Sequence, residues 1–270
     1  MEHFECDGAP RDMGADQGRF CGDRLREDLG ILCAWPTRLR HASQRRALRD
    51  LQRYYPHQHE QLTGMARAAG VSVSRLARAS LAALHAPARA VGYRQGGSAK
   101  LAASAPIDAL HRDTRAEGRF AARELTRPVL TTALLAVNEA GLAAAVAGVS
   151  MPGDCAAPGA LLVRDCVERF ETVAAASEWC LTRPCAPGTT LLLADAAGEL
   201  AAVAVGEGDR RVLSPVDEVV LPSALAVHRA PLSKALEMPD ALDRLLRRHL
   251  GDFVVALPQS RSLAGNGRTL

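Results

Sequence analysis

At 270 residues the chain can make one large domain or two small ones, and 48% hydrophobic with 23% charged residues fits a protein with a sizeable core. A net charge of +3 is too small to argue for a nucleic-acid surface, and with aromatics at only 4% the core must be filled by Ala, Leu and Val. Lys100 and Lys234 are the only lysines, so with so much alanine present the arginine content reads as coding bias rather than as a binding surface.

The opening MEHFECDG has neither the basic n-region nor the apolar h-region of an export signal. The longest apolar run, 130–151, is interrupted by Asn138-Glu139 and by glycines, so no spanning helix is expected there. Cys6, Cys21, Cys33, Cys155, Cys166, Cys180 and Cys185 form no CxxC pair. Their odd number and irregular spacing argue against a disulfide framework and for a reducing cytoplasmic setting, with most thiols acting as small apolar groups.

In chain order, HFECDG reads as a short strand that passes through a Gly-Ala-Pro turn into a long helix. Gly14 and Gly18 lie four apart on that helix and share one face, which predicts close approach by another element. Helices follow over 42–55, with a basic outer face of Arg45, Arg46, Arg49 and Arg53, and over 60–69, with Gly70 as a left-handed cap. Ser72 or Ser74 caps the next, whose stripe is Leu76, Ala79, Leu81 and Leu84. The chain then changes character. Strands over 89–94 and 99–104 flank Gln95-Gly96-Gly97-Ser98, a hairpin signal because both glycines accept positive φ. The stretch 111–127 is charged, weakly patterned and read as a connection, part of it helical. Strands are expected over 129–137 and 142–149 around the NEAG turn, a helix over 161–181, strands over 189–194 and 200–205 around DAAG, short strands at 212–213 and 219–221, and a helix over 232–250. Helices that do not alternate with strands make the class α+β, with sheet packed on sheet.

Four of these segments together resemble the acyl-coenzyme A:6-aminopenicillanic acid acyltransferase group of cysteine N-terminal-nucleophile (Ntn) hydrolases. They are GAPRDMGADQG, carrying Gly8, Pro10, Gly14 and Gly18; LTGMARAAGVSVSRL; AVNEAGLAAAVAGVS; and LLLADAAGELAAVAV. The match runs in order from Glu5 to about Leu250. It implies a four-layer αββα sandwich and a single domain over 1–270, with a helical part over 1–85 and a strand-rich core over 86–270. It also implies self-cleavage that exposes an N-terminal Cys. Such a residue attacks an amide or thioester, and its own α-amine, with a pKa of roughly 8, takes the thiol proton. An Asn side chain holds the oxyanion.

By that resemblance the family's Cys-Thr or Cys-Ser pair falls on Ala88-Arg89, and no cysteine lies between Cys33 and Cys155 to substitute for it. A methyl cannot attack a carbonyl, and a buried Arg89 would obstruct the pocket. The Arg-Asn-x-Asp of the hairpin return becomes Ala105-Pro106-Ile107-Asp108, leaving only Asp108, and Pro106 is expected to remove an N–H from the strand holding the site. The oxyanion Asn falls on Ala147, and a later Asn-His pair falls near 224–227, where neither is in place. Of the substitutes, Ser98 belongs to the turn, Cys6 lies in the first strand as an ordinary thiol, and His57-x-His59 at a helix start is a weak metal signal.

Three readings remain open on the sequence. One is a degenerate, unprocessed member of the family that keeps a cleft for a small acyl or amide ligand or a partner. The second is an active amidohydrolase or acyltransferase, working on linear amides or acyl thioesters with another nucleophile. The third is an engineered Cys-to-Ala form at Ala88. None calls for a cofactor, metal, nucleic acid or membrane.

Overall fold

The computed structural model describes residues 1–34, 41–84, 88–95, 97–148, 156–206, 209–213, 218–222, 227–231, 247 and 252–256. Strand β1 (His3–Gly8) leads into five helices: α1 (Pro10–Phe20), α2 (Gly22–Ala34), α3 (His41–Tyr54), α4 (Pro56–Ala69) and α5 (Val73–Leu84). Six strands follow: β2 (Ala90–Gln95), β3 (Ser98–Ser104), β4 (Leu110–Ala116), β5 (Ala122–Thr126), β6 (Leu135–Asn138) and β7 (Ala143–Gly148). After α6 (Leu161–Val167) and α7 (Val173–Thr182) come β8 (Thr189–Ala194), β9 (Leu200–Val205), β10 (Arg210–Leu213), β11 (Glu218–Pro222), β12 (Val227–Pro231) and β13 (Phe253–Ala256).

The strands form two sheets, an eight-stranded one in the order β1-β4-β5-β6-β7-β8-β9-β10 and a five-stranded one in the order β12-β11-β2-β3-β13. Among the described residues β1 with β4 is the parallel pair, and the other pairings are antiparallel. Strand alternation explains why one sheet can be covered on both faces. Ala144, Val146, Leu191 and Leu193 turn toward the helices and join Met13, Leu62, Met65, Leu162 and Cys180 in one core. Ala143, Ala145, Leu192 and Ala194 turn the other way and meet Ala90, Ala99, Leu101 and Ala103 of the second sheet. The inter-sheet layer is mostly alanine. With both faces buried, the central strands read as continuous apolar runs.

This is the α+β, sheet-on-sheet architecture expected. Apart from Arg247, the helix expected over 232–250 lies outside the described residues, as do residues 224–226. At Arg247 the guanidinium carbon lies 5.8 Å from the Phe253 ring centroid. No helix among the described residues is long and apolar enough to cross a membrane.

Four local expectations need correction. The charged stretch 111–127 is a hairpin, β4 with β5, not a part-helical connection. Its inward positions are Leu110, Arg112 and Thr114, so the alternation is real but carried by polar side chains. The strand expected over 129–137 is confined to β6, because residues 129–134 form an irregular approach. The helix expected over 161–181 is two helices. Asn138 Nδ2 donates to the carbonyls of Val167 and Phe170, both at 2.8 Å, and ends α6, while Asp195 Oδ2 accepts from Val173 N at 2.9 Å and starts α7 afresh. The first long helix likewise divides at Cys21 into α1 and α2.

The glycines of α1 do what their spacing predicts. A Cβ on Gly14 would lie 1.9 Å from the Gln61 carbonyl oxygen, and one on Gly18 would lie 2.4 Å from that of Met65. The approach is reciprocal, since a Cβ on Gly64 would lie 1.9 Å from the Arg11 oxygen. Helices α1 and α4 therefore cross backbone to backbone. Gly14→Ala is expected to lower unfolding stability by about 3 kcal/mol, because the neighbouring backbone cannot yield. Gly70→Ala is the comparison: φ is +69° with open space around it, so only the left-handed penalty of about 1–2 kcal/mol applies. Equal urea midpoints for the two variants would refute the close crossing.

Candidate functional site

Ala88 stands just ahead of β2 and is tied to the other sheet by its backbone. Its N–H donates to Gly148 O at 2.9 Å, and its carbonyl accepts from Gly148 N at 2.9 Å. This bridge fastens the head of β2 to the last residue of β7. Gly148 has φ +96°, and a Cβ there would lie 2.6 Å from the Gly188 oxygen, so the crossing needs glycine on both counts.

The bridge brings Ala88 and Ala147 together along the backbone but leaves their side chains in different layers. Ala147, opposite Thr190, is fully buried between the two sheets. Ala88 is half-buried and packs against the helix-side core. Arg89 is exposed, so it does not fill a pocket as the sequence suggested. Pro106 is also less disruptive than expected. β3 ends at Ser104, and Pro106 sits in the following turn, where its carbonyl accepts from Ala109 N at 2.9 Å. Asp108 is drawn into an ion pair: Arg127 Nε donates to both its carboxylate oxygens, at 3.0 and 2.8 Å.

Ser98 opens β3 opposite Gln95. Cys6 is buried in β1, and burial pushes its thiol pKa up to about 11 despite the nearby Arg112 and Arg164 cations. Neither has the character of an activated nucleophile. His57, the first of the two histidines in His57-x-His59, has its Nε2 2.9 Å from Asp165 Oδ1. Among the described residues no three His, Cys, Asp or Glu side chains gather as metal ligands.

The chemistry that sequence reasoning missed lies beneath α1 and α4. Arg112 and Glu124 are fully buried and paired, with Arg112 Nε donating to Glu124 Oε2 at 2.7 Å. Arg112 also donates to Gln17 Oε1 at 2.6 Å and to the Leu130 and Thr131 carbonyls at 3.2 and 3.1 Å. Arg164 bonds Glu168, Gln61 and the Thr131 carbonyl. Burial alone would lower the Arg164 pKa, but the Glu168 and Glu124 carboxylates more than offset this and raise it. Next to this, Asp165 receives Trp179 Nε1 at 3.2 Å and faces Arg183 Nε at 3.5 Å. Two signals were available in the sequence: the inward register of Arg112 and Glu124, and the Arg164-x-x-x-Glu168 spacing.

The fold is a two-sheet α+β sandwich whose candidate site is the bridge between its sheets. Among solved structures, similarity is found to penicillin V acylase from Agrobacterium tumefaciens, at 20% identity and TM-score 0.35 over 47% of this chain and 49% of that one. A mutant conjugated bile acid hydrolase from Clostridium perfringens matches at 12% identity and TM-score 0.36, over 61% and 58% respectively. A Caenorhabditis elegans ortholog of N-acylethanolamine-hydrolyzing acid amidase matches at 12% identity and TM-score 0.43, over 63% and 92%. The chain thus spans about half the length of the first two. No protein-family profile and no curated protein sequence matches it.

Arg112→Met leaves Glu124 buried without its partner and is expected to lower stability by about 3–5 kcal/mol. The double variant Arg112→Met/Glu124→Leu is expected to recover a large part of that loss in urea melts. A double variant as unstable as the sum of the two singles would show that the charges are not coupled.

Proposed function

We propose that the chain is a degenerate Ntn-type amidohydrolase or acyltransferase: one domain, not self-processed, without thiol chemistry, and left to bind a small acyl or amide ligand or a partner. The observation that carries this is Ala88. The position that the motif resemblance gives to the nucleophile holds a methyl group, which can neither attack a carbonyl nor be activated by an amine. An Ntn nucleophile needs both a thiol or hydroxyl and a free amine at that place. Ala147 supports the same reading, because a fully buried methyl offers no hydrogen to an oxyanion. Asp108, engaged by Arg127, keeps a structural role. A cytoplasmic location and independence from cofactors, nucleic acid and membranes belong to this proposal.

The expressed chain should give one intact mass of 28.7 kDa. N-acyl amides should raise its thermal midpoint without being turned over. Two fragments with a new amine near residue 88, or steady amide hydrolysis, would overturn the proposal.

A repaired nucleophile should not restore the chemistry. Ala88→Cys supplies a thiol but no oxyanion donor, whose absence costs on the order of 10²–10³ in rate. Its side chain would also start from the helix-side core rather than from the inter-sheet layer that holds Ala147. No self-cleavage is expected by intact mass. Rapid cleavage of this single variant would mean that the scaffold is still catalytic.

A further inference from the structure

The seven cysteines give no disulfide pattern in the sequence, yet the fold brings two of them together. Cys166 lies in α6 and Cys180 near the end of α7, both fully buried, with their sulfurs 3.4 Å apart. We propose that Cys166 and Cys180 are a modification site, a dithiol that closes to a disulfide stapling α6 to α7 when the protein meets a peroxide or a disulfide oxidant.

The geometry asks for little movement. A sulfur–sulfur bond is about 2.05 Å long, so each sulfur travels only about 0.7 Å from the present contact. The helices are joined by a short, well-anchored turn. Asn138 holds the carbonyls of Val167 and Phe170, and Asp195 holds Val173 N, so the two helix ends are already placed for the link. The neighbouring residues reinforce the placement, since Asp165 and Trp179, one before each cysteine, are themselves hydrogen-bonded at 3.2 Å. Cys6 and Cys21 are held protonated by burial, with pKa values pushed up to about 11 and about 12.

With hydrogen peroxide, one thiol gives up its proton and its thiolate attacks an oxygen, the O–O bond breaks, and the departing hydroxide takes a proton, so that a sulfenic acid and water result. The second thiol attacks the sulfenic sulfur and expels a second water, so two thiols and one peroxide give one disulfide and two waters. With a disulfide oxidant, two successive exchanges transfer the same two electrons and release two small thiols. The hydrogen bond shared with Cys180, and then burial, raise the Cys166 pKa well above the usual thiol value. Cys166 is therefore slow to react at neutral pH, and its attack quickens as pH rises. In a reducing cytosol it stays open until an oxidant appears. The site is independent of any activity at Ala88.

The test is oxidation of the native full-length chain with hydrogen peroxide or glutathione disulfide at pH 7.0 and 8.5, followed by alkylation. Non-reducing digestion with trypsin and chymotrypsin is then read by mass spectrometry; cutting at Leu181 separates Cys180 from Cys185. Expected are a Cys166–Cys180 linked peptide, a mass lower by 2 Da, faster closure at the higher pH, and reversal by dithiothreitol. The closed form should melt about 5 °C higher. Cys180→Ala should abolish the linked peptide while the variant remains folded by circular dichroism. Oxidation that leaves both thiols alkylatable, or that joins Cys166 to a different cysteine, would overturn the proposal.

Discussion

The helical half is fastened to the strand half by two arginines that have no access to water. Arg112 reaches from β4 to Gln17 on α1, and Arg164 reaches from α6 to Gln61 on α4. Both also bond the Thr131 carbonyl, in the irregular approach to β6. Buried cations are tolerated only when their charge is matched and their donors are occupied. Here Glu124 and Glu168 supply the charge, and glutamine and backbone oxygens take up further donors. The arrangement specifies geometry more than it adds stability, because any relative slip of α1, α4 or α6 would strand an ion in the core.

The glycine crossing of α1 and α4 follows from the same requirement. Gln17 and Gln61 must both descend from the helices to the arginines, and they touch each other at 3.4 Å on the way. Helices held at an ordinary separation would carry these amides too far apart. Gly14, Gly18 and Gly64 remove the Cβ atoms that would enforce that separation. The apolar stripe under the helices then has a fixed depth to fill, and Met13, Leu62 and Met65 fill it.

How much of this the sequence disclosed depended on what each inward position carried. The β2–β3 hairpin, the NEAG and DAAG turns, and β8 with β9 were legible because apolar residues and glycines marked them. The β4–β5 hairpin was not, since Arg112, Thr114 and Glu124 occupy inward positions that a hydrophobic pattern leaves blank. The turn between α6 and α7 was hidden for another reason, as the groups that impose it, Asn138 and Asp195, are distant in sequence. At the candidate site the sequence did not disclose which way each side chain points. Side chains in extended chain alternate between faces, so a resemblance carried by turns and glycines cannot say which layer Ala147 or Arg89 enters. Arg89 proved exposed and Ala147 internal.

The parallel pairing of β1 with β4 has a consequence in time. His3 lies opposite His111, 108 positions later in the chain. On a ribosome adding about 5–20 residues per second, β1 waits roughly 5–20 s for the strand that covers its edge. During that interval the nascent chain already contains α1 to α5, which can cluster through their own apolar faces but have no Arg112 or Glu124 to receive Gln17. Assembly of the sandwich is therefore gated by synthesis of its middle third, and an unpaired first strand is what a cell's holding chaperones would meet.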